Sequence, residues 1–327
     1  MSPAPLLLIG VAAGSVSALL YAAAASGSAL ALMLLYVAPL PILLAGVGWR
    51  HHAGLAGAAF GMVALTLAIG PKTGLYFALA VGLPAWWLAY LALLARVDAA
   101  TGVTEWYPVG RLVAWCAGLG ALLVAATVPL VGSTLEEYRA ALRDVFSKAL
   151  MGASPGGEAP QLPGGQDPKA VIELMTIAAP GLAATVWTLS TLLNLWLAGR
   201  ICRSSGRLVR PWPDLAAMDP PRAAALILAA GFLGSFLPGL PGLIAALFAA
   251  TFLLVFTLLG LAVMHVTTRA APARGLILFA LYALLMLQPW IALFLAGLGL
   301  SEQLFGIRRR FGPPPGGPPP TAPANLP

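Results

Sequence analysis

The chain has 327 residues, of which 60% are hydrophobic and only 9% charged, and its formal net charge is +7. A soluble globular domain carries about 25% charged residues, so there are too few polar side chains here to clothe a water-soluble fold. A nucleic-acid role is a poor reading of the basic charge, because the arginines flank apolar runs and show no aromatic platform in the sequence.

In chain order, uncharged apolar blocks fall near 6–25, 29–48, 53–70, 75–95, 112–131, 177–199, 243–265 and 275–298. Roughly 20 apolar residues cross a hydrocarbon core as a helix, and backbone groups in lipid must be paired within the segment. The blocks are Leu/Ala-rich without period-2 alternation, which argues against a β-barrel. They predict an all-α, polytopic transmembrane helix bundle of eight or nine spans. The count turns on 223–237, a short apolar stretch that runs into Leu237-Pro238-Gly239-Leu240-Pro241-Gly242 and reads as a tilted span or a re-entrant piece. The first block has no Lys or Arg before it and many spans after it, so it reads as a span and not as a cleaved signal.

The expected organisation is spans one to five in 1–131, an extracytoplasmic loop in 132–176, the remaining spans in 177–300, and a basic, then Pro/Gly-rich tail in 301–327. Within the loop, Thr134-Leu-Glu-Glu137 has capping-box spacing. Leu135, Tyr138, Leu142, Val145 and Ala149 follow at helical spacing, giving an amphipathic helix on the membrane surface or over a cavity mouth. Gly152–Gly165 returns the chain, Asp167-Pro168 reads as an N-cap followed by Pro at the first helical position, and Pro180 should kink the sixth span. The tail Gly312–Pro327 has the composition of a disordered segment.

Arg200, Arg203, Arg207, Arg210 and Arg222 surround one loop that holds only Asp214 and Asp219, which places it in the cytoplasm by the positive-inside bias. The N-terminus then lies inside with Arg50, Arg96 and Arg111, and 132–176 lies outside. The charges leave the side of Arg308-Arg309-Arg310 open, with a lean toward the cytoplasm. Contact with anionic lipid heads is the simplest role for the arginines. Cys116 and Cys202, isolated and without a CxxC, read as packing residues.

No Asp or Glu lies within these spans, which removes carboxylate proton relays, cation sites and aspartyl proteolysis. Gly70-Pro71-Lys72-Thr73 lacks the Gly before Lys of a P-loop, and His51-His52 lacks HExxH spacing. Nothing in the sequence asks for a metal or a cofactor. Ser235 and His265 suggest a Ser–His dyad, against which Ser235 lacks the usual Gly-x-Ser context. Asn194 and Gln288 carry amides that should face the bundle interior, there joining helices or lining a solute cavity with Thr191 and Tyr36. Trp86, Trp87, Trp106, Trp115, Trp212 and Trp290 fit an interfacial belt. Gly10, Gly14, Ala18 and Ala22 form a small-residue stripe on the first span, repeated by Ala53, Gly57 and Gly61 on the third. Such stripes serve internal packing or docking to a membrane partner.

Ala38-Pro39-Leu40-Pro41-Ile42-Leu43-Leu44-Ala45-Gly46, Asn194-Leu195-Trp196-Leu197-Ala198, Gly260-Leu261-Ala262-Val263-Met264-His265 and the end Gly299–Arg310 occur in the order found in the YybS-like family of bacterial integral membrane proteins, which the chain resembles over most of its length. That resemblance implies a place in the bacterial cytoplasmic membrane and no particular activity. More distantly, the first six spans resemble the S components of energy-coupling-factor vitamin transporters. There a small-residue stripe docks to a membrane coupling protein driven by an ATPase; here Gly10, Gly14, Ala18 and Ala22 would match it, and Pro41–Gly46 the second helix. The chain carries two or three further spans and a large outer loop. The first reading is a non-enzymatic component that binds or moves a small solute, energised by a partner. The second is a membrane scaffold or assembly factor, and the third an intramembrane enzyme.

Overall fold

The computed structural model describes residues 3–100, 102–132, 134–151 and 166–311. The expected connector Gly152–Gly165 and tail Gly312–Pro327 lie outside the described residues. Among the described residues seven helical segments are long and apolar enough to cross a membrane, and the molecule is an all-α polytopic bundle.

The first segment is α1 (Pro3–Ala22), prolonged by a 3-10 turn to Ser26. The second joins α2 (Ala29–Val37) to α3 (Pro39–Trp49). Ser28 caps α2 by accepting from Ala31 N–H, and the prolines opening α3 stand where no helical N–H partner is needed. Arg50 alone links α3 to α4 (His51–Ala68), at φ 109°. So short a link is possible because the two helices touch through Gly46 and Gly54, where a Cβ on Gly54 would lie 3.1 Å from the Gly46 Cα. The fourth segment is α5 (Pro71–Phe77) and α6 (Leu83–Leu93) around a π turn at Ala78–Gly82.

A small hairpin follows, β1 (Ala95–Val97) with β2 (Thr104–Trp106), its register tied by Arg96 to Glu105 at 3.0 Å. It leads into α7 (Val109–Val131). The surface helix α8 (Leu135–Met151) has the expected cap, Glu137 N–H to Thr134 Oγ1. It buries Tyr138 and grips the start of α9 (Pro168–Ser204) through Arg143 to Glu173 at 2.8 Å. Asp167 caps α9 by accepting from Lys169 N–H, with Pro168 next.

The last third departs from a simple row of spans. The doubtful stretch forms α10 (Ala223–Gly234), 12 residues and so only about 18 Å long. It folds back antiparallel on α11 (Gly239–Thr267), with Gly231 against Ala245 and Ala249, and Gly234 against Ala245. The block 275–298 is not one helix. It divides into α12 (Arg274–Leu287) and α13 (Ile291–Phe305), because Pro289 has no N–H to continue α12 and forces Gln288 out of helical geometry.

Contacts fix where that break lies. Thr257 Oγ1 donates to Ala292 O at 3.1 Å, and Gly260 packs on the Leu295 carbonyl. Thr257 is ten residues before the end of α11, about 15 Å. The α12–α13 hairpin therefore enters beside the C-terminal end of α11, turns part-way along it, and leaves at the same end.

This arrangement shows which of the basic segments share an end of the bundle. Arg269 pairs with Asp214 at 3.6 Å, and Arg308 Nη1 donates to Ala216 O and Met218 O. The arginine-rich loop, the α11–α12 connection and the basic segment after α13 thus share one end of the bundle. Arg207 stands 4.4 Å over the Trp49 ring, which adds the α3–α4 link to that end. Of all Lys and Arg, only Lys72, Arg139, Arg143, Lys148 and Lys169 belong to the opposite end.

Candidate functional site

A cleft of about 480 Å³ opens in the arginine-rich half of the bundle, within the 300–1,000 Å³ usual for small-molecule sites. Its walls come from α7 (Leu112, Val113), α9 (Leu192, Trp196), α11 (Leu258, Ala262) and the loop after α9 (Leu208, Arg210, Trp212). Leu193 and Trp196 also line it while standing 56% and 45% exposed on the flank of the bundle, so the cleft opens sideways where lipid would lie. Across the opening, His265 of α11 and Tyr282 of α12 meet at 2.9 Å, Nε2 to Oη.

The lining is apolar except at one end. There Arg210 reaches from the loop and donates to Ala92 O at 3.2 Å. Among the described residues no carboxylate stands within ion-pair reach of it. Burial draws its pKa below the ordinary arginine value. Trp212 closes the same end, with Arg200 and Arg203 at 5.6 and 5.4 Å from its ring centroid.

The residues singled out from sequence do not meet in this cleft. Asn194 is 5% exposed, and its amide donates to Tyr36 O at 2.7 Å and Ser190 O at 2.8 Å. It is a strut between α9 and α2, and the Tyr36 side chain points outward, 44% exposed. Thr191 is buried with its hydroxyl unpartnered. Gln288 is exposed at the α12–α13 break, where it accepts from Trp290 Nε1 at 2.9 Å. That break also places Trp290 part-way along α11 and not at a bundle end.

The small-residue stripe of α1 is taken up inside the chain. A Cβ on Gly10 would meet Ala53 O and Ala56, one on Gly14 would meet the Gly57 carbonyl, and Gly57 itself touches Gly10 O. Helices α1 and α4 run parallel and use their two stripes on each other, with Ala18 buried and Ala22 partly buried. Gly10 and Gly14 accordingly leave no free face for an outside partner.

Ser235 and His265 sit at opposite ends of α11, about 35 Å apart by helical rise. Ser235 donates to Phe232 O. No dyad forms between them. Cys116 and Cys202 are buried and free, as packing residues are.

Sequence reasoning missed one feature altogether. Glu302 of α13, 6% exposed, holds Arg308 by Nε at 2.9 Å and by its backbone N–H at 2.8 Å, while Arg308 Nη1 reaches two loop carbonyls. Gly306 at φ 62° makes the turn that brings them together. The signal was Glu, then Gly and Arg within six residues at a helix end. It is a clasp that fastens the last hairpin to the loop bearing Arg210 and Trp212.

Residues 15–301 match the sequence family described as "Predicted membrane protein (DUF2232)". The chain belongs to that family. It is the YybS-like family whose ordered motifs the sequence carries. No curated protein and no solved structure matches, so the likeness to S components rests on the sequence pattern alone. Family membership makes the chain a membrane protein with several candidate spans and assigns it no activity.

Proposed function

We propose that this family member is a non-enzymatic binding or transport component that takes an apolar small molecule from within the membrane, with energy supplied by a partner. One observation carries the reading: the apolar cleft between α7, α9 and α11 is open to the lipid side. A polar solute has less support, because Asn194, Thr191, Tyr36 and Gln288 line no part of it. The need for a partner follows from the charges. Glu302 is the only buried carboxylate among the described residues, and Arg308 neutralises it.

The test is binding of an uncharged fluorescent hydrocarbon, such as phenylnaphthylamine, to the purified full chain. One probe per chain is expected, with binding at least about tenfold weaker in Ala262→Phe, which fills the cleft wall. Absence of binding, or unchanged binding in a folded Ala262→Phe, sinks the proposal. The scaffold reading stays second, favoured by the Asn194 strut and by α12, which buries none of its residues and so presents a long apolar face.

The arginine-rich end, with the start of α1, is assigned to the cytoplasm of a bacterial inner membrane by the positive-inside bias. A cysteine at Ser204 should resist an impermeant maleimide in whole cells, and one at Ser147 should react. Both native cysteines are buried, which keeps the background low. The reverse pattern would invert the assignment.

A further inference from the structure

We infer that the cleft selects an anionic lipid, its hydrocarbon chain lying between α9 and α11 and its phosphate held by Arg210, with Arg200 and Arg203 beside it. The inference rests on the cleft being a ligand site and names the chemistry of what it takes. An apolar slot open to the bilayer admits a chain, but it does not by itself call for a charged end. The charged end is present nonetheless. Arg210 and Trp212 line one limit of the slot, and the guanidiniums of Arg200 and Arg203 stand over the Trp212 ring. The nearest acid in the loop, Asp214, is engaged by Arg269.

The case for selection is strongest at Arg210. It is partly buried and makes one hydrogen bond, to the Ala92 carbonyl, which leaves most of its five N–H donors for a ligand. A guanidinium fork matches a phosphate with two parallel hydrogen bonds. Its pKa is already drawn down by burial, as expected of a cation lacking its counter-charge. Trp212 and Trp196 flank the junction between head and chain, the depth at which indole rings settle in bilayers. A zwitterionic lipid offers a phosphate too, but brings its own ammonium toward Arg200, Arg203 and Arg210, so a head of net negative charge is favoured.

The experiment is native mass spectrometry of the full chain released from nanodiscs of phosphatidylcholine with one tenth phosphatidylglycerol. One retained phosphatidylglycerol is expected, enriched about tenfold over its share, since a charge-assisted bidentate contact of this kind is worth about a factor of ten or more. Arg210→Gln should bring the retained lipid down to the bulk ratio. Arg274→Gln, at the same end but outside the cleft, should leave the enrichment intact. Millimolar inorganic phosphate should not displace the lipid.

A retained lipid that mirrors the bulk ratio in the native chain overturns the inference while leaving the apolar site standing. No retained lipid, together with no hydrocarbon-probe binding, removes both. Equal loss in Arg210→Gln and Arg274→Gln would show diffuse attraction to the arginine-rich end and overturn the specific site. Displacement by phosphate would make the ion itself the ligand and overturn it too. The native-chain ratio needs no variant, so a misfolded Arg210→Gln does not rescue the idea.

Discussion

The helices from α1 to α6 and those from α10 to α13 are built from similar apolar residues, yet they are held together differently. In the first set, helices meet at backbone contact: α1 on α4 through Gly10, Gly14 and Gly57, and α3 on α4 through Gly46 and Gly54. Lipid offers no hydrophobic drive for helix association, so close van der Waals contact along the helix has to supply it. In the second set α13 meets α11 in the same way, through Gly260 and Gly299, whereas α12 buries nothing against its neighbours. What sets this region apart is a group of polar fastenings added at the ends of α13: Thr257 to the Ala292 carbonyl, Gln303 to the Pro220 carbonyl, and the Glu302–Arg308 clasp. The cleft lies on the boundary, with walls from both regimes and one rim, Tyr282, on the least secured helix.

If that contrast is right, the largest effect of any one change should come from the clasp. Arg308→Ala leaves Glu302 buried without its partner, a loss of roughly 3–5 kcal/mol for a pair of this kind. The damage should be local. Limited proteolysis should open the α11–α12 connection and the C-terminal hairpin early, while α1 to α6 stay protected. Uniform loss of protection along the chain would erase the distinction between the two regimes.

Next in size, Gly14→Leu places a side chain against the Gly57 carbonyl. Overpacking of a close contact costs about 1–3 kcal/mol or more. Here the loss should be global, read as a lower detergent melting temperature of the whole chain. A variant that melts like the native chain would show that α1 and α4 are not in contact. Below it comes Asn194→Leu, which removes the strut to Tyr36 O and should cost about 1 kcal/mol, since interhelical hydrogen bonds in membranes are individually modest. Unchanged melting would mean that the Asn194–Tyr36 link contributes nothing.

These predictions follow the parts of the fold that sequence did and did not disclose. The long uncharged runs made the bundle legible, because lipid leaves a 20-residue apolar block few alternatives to a helix. The caps at Thr134 and Asp167 and the α1 and α4 stripes were legible from local spacing. Composition could not tell that the two stripes face each other, since a small residue is equally suited to an internal neighbour and an external one. The block 275–298 read as one span because hydropathy sums across Gln288-Pro289, whereas proline acts through a missing donor that hydropathy does not register. The cleft was invisible for another reason. Leu192, Leu258 and Ala262 look the same in sequence whether they fill a core or wall a void, and only their spacing in three dimensions separates the two.

A pair that ends on the smallest effect discriminates most finely, because it compares two glycines on one helix. A Cβ on Gly299 would run into the Phe256 carbonyl, whereas one on Gly297 would meet nothing within 4 Å. Gly299→Ala should push α13 off α11 and cost about 1–3 kcal/mol. Gly297→Ala faces outward and only restricts the unfolded backbone while improving helix propensity, so it should be neutral or stabilise by up to about 1 kcal/mol. Melting of the two variants beside the native chain reads both signs directly. Since α13 also carries the clasp, the Gly299→Ala loss should spread to the cleft through the loop that Arg308 holds, weakening hydrocarbon-probe binding, while Gly297→Ala leaves that binding unchanged. Equal behaviour of the two variants would mean that α13 does not pack on α11 through Gly299, and the re-entrant hairpin would have to be drawn differently.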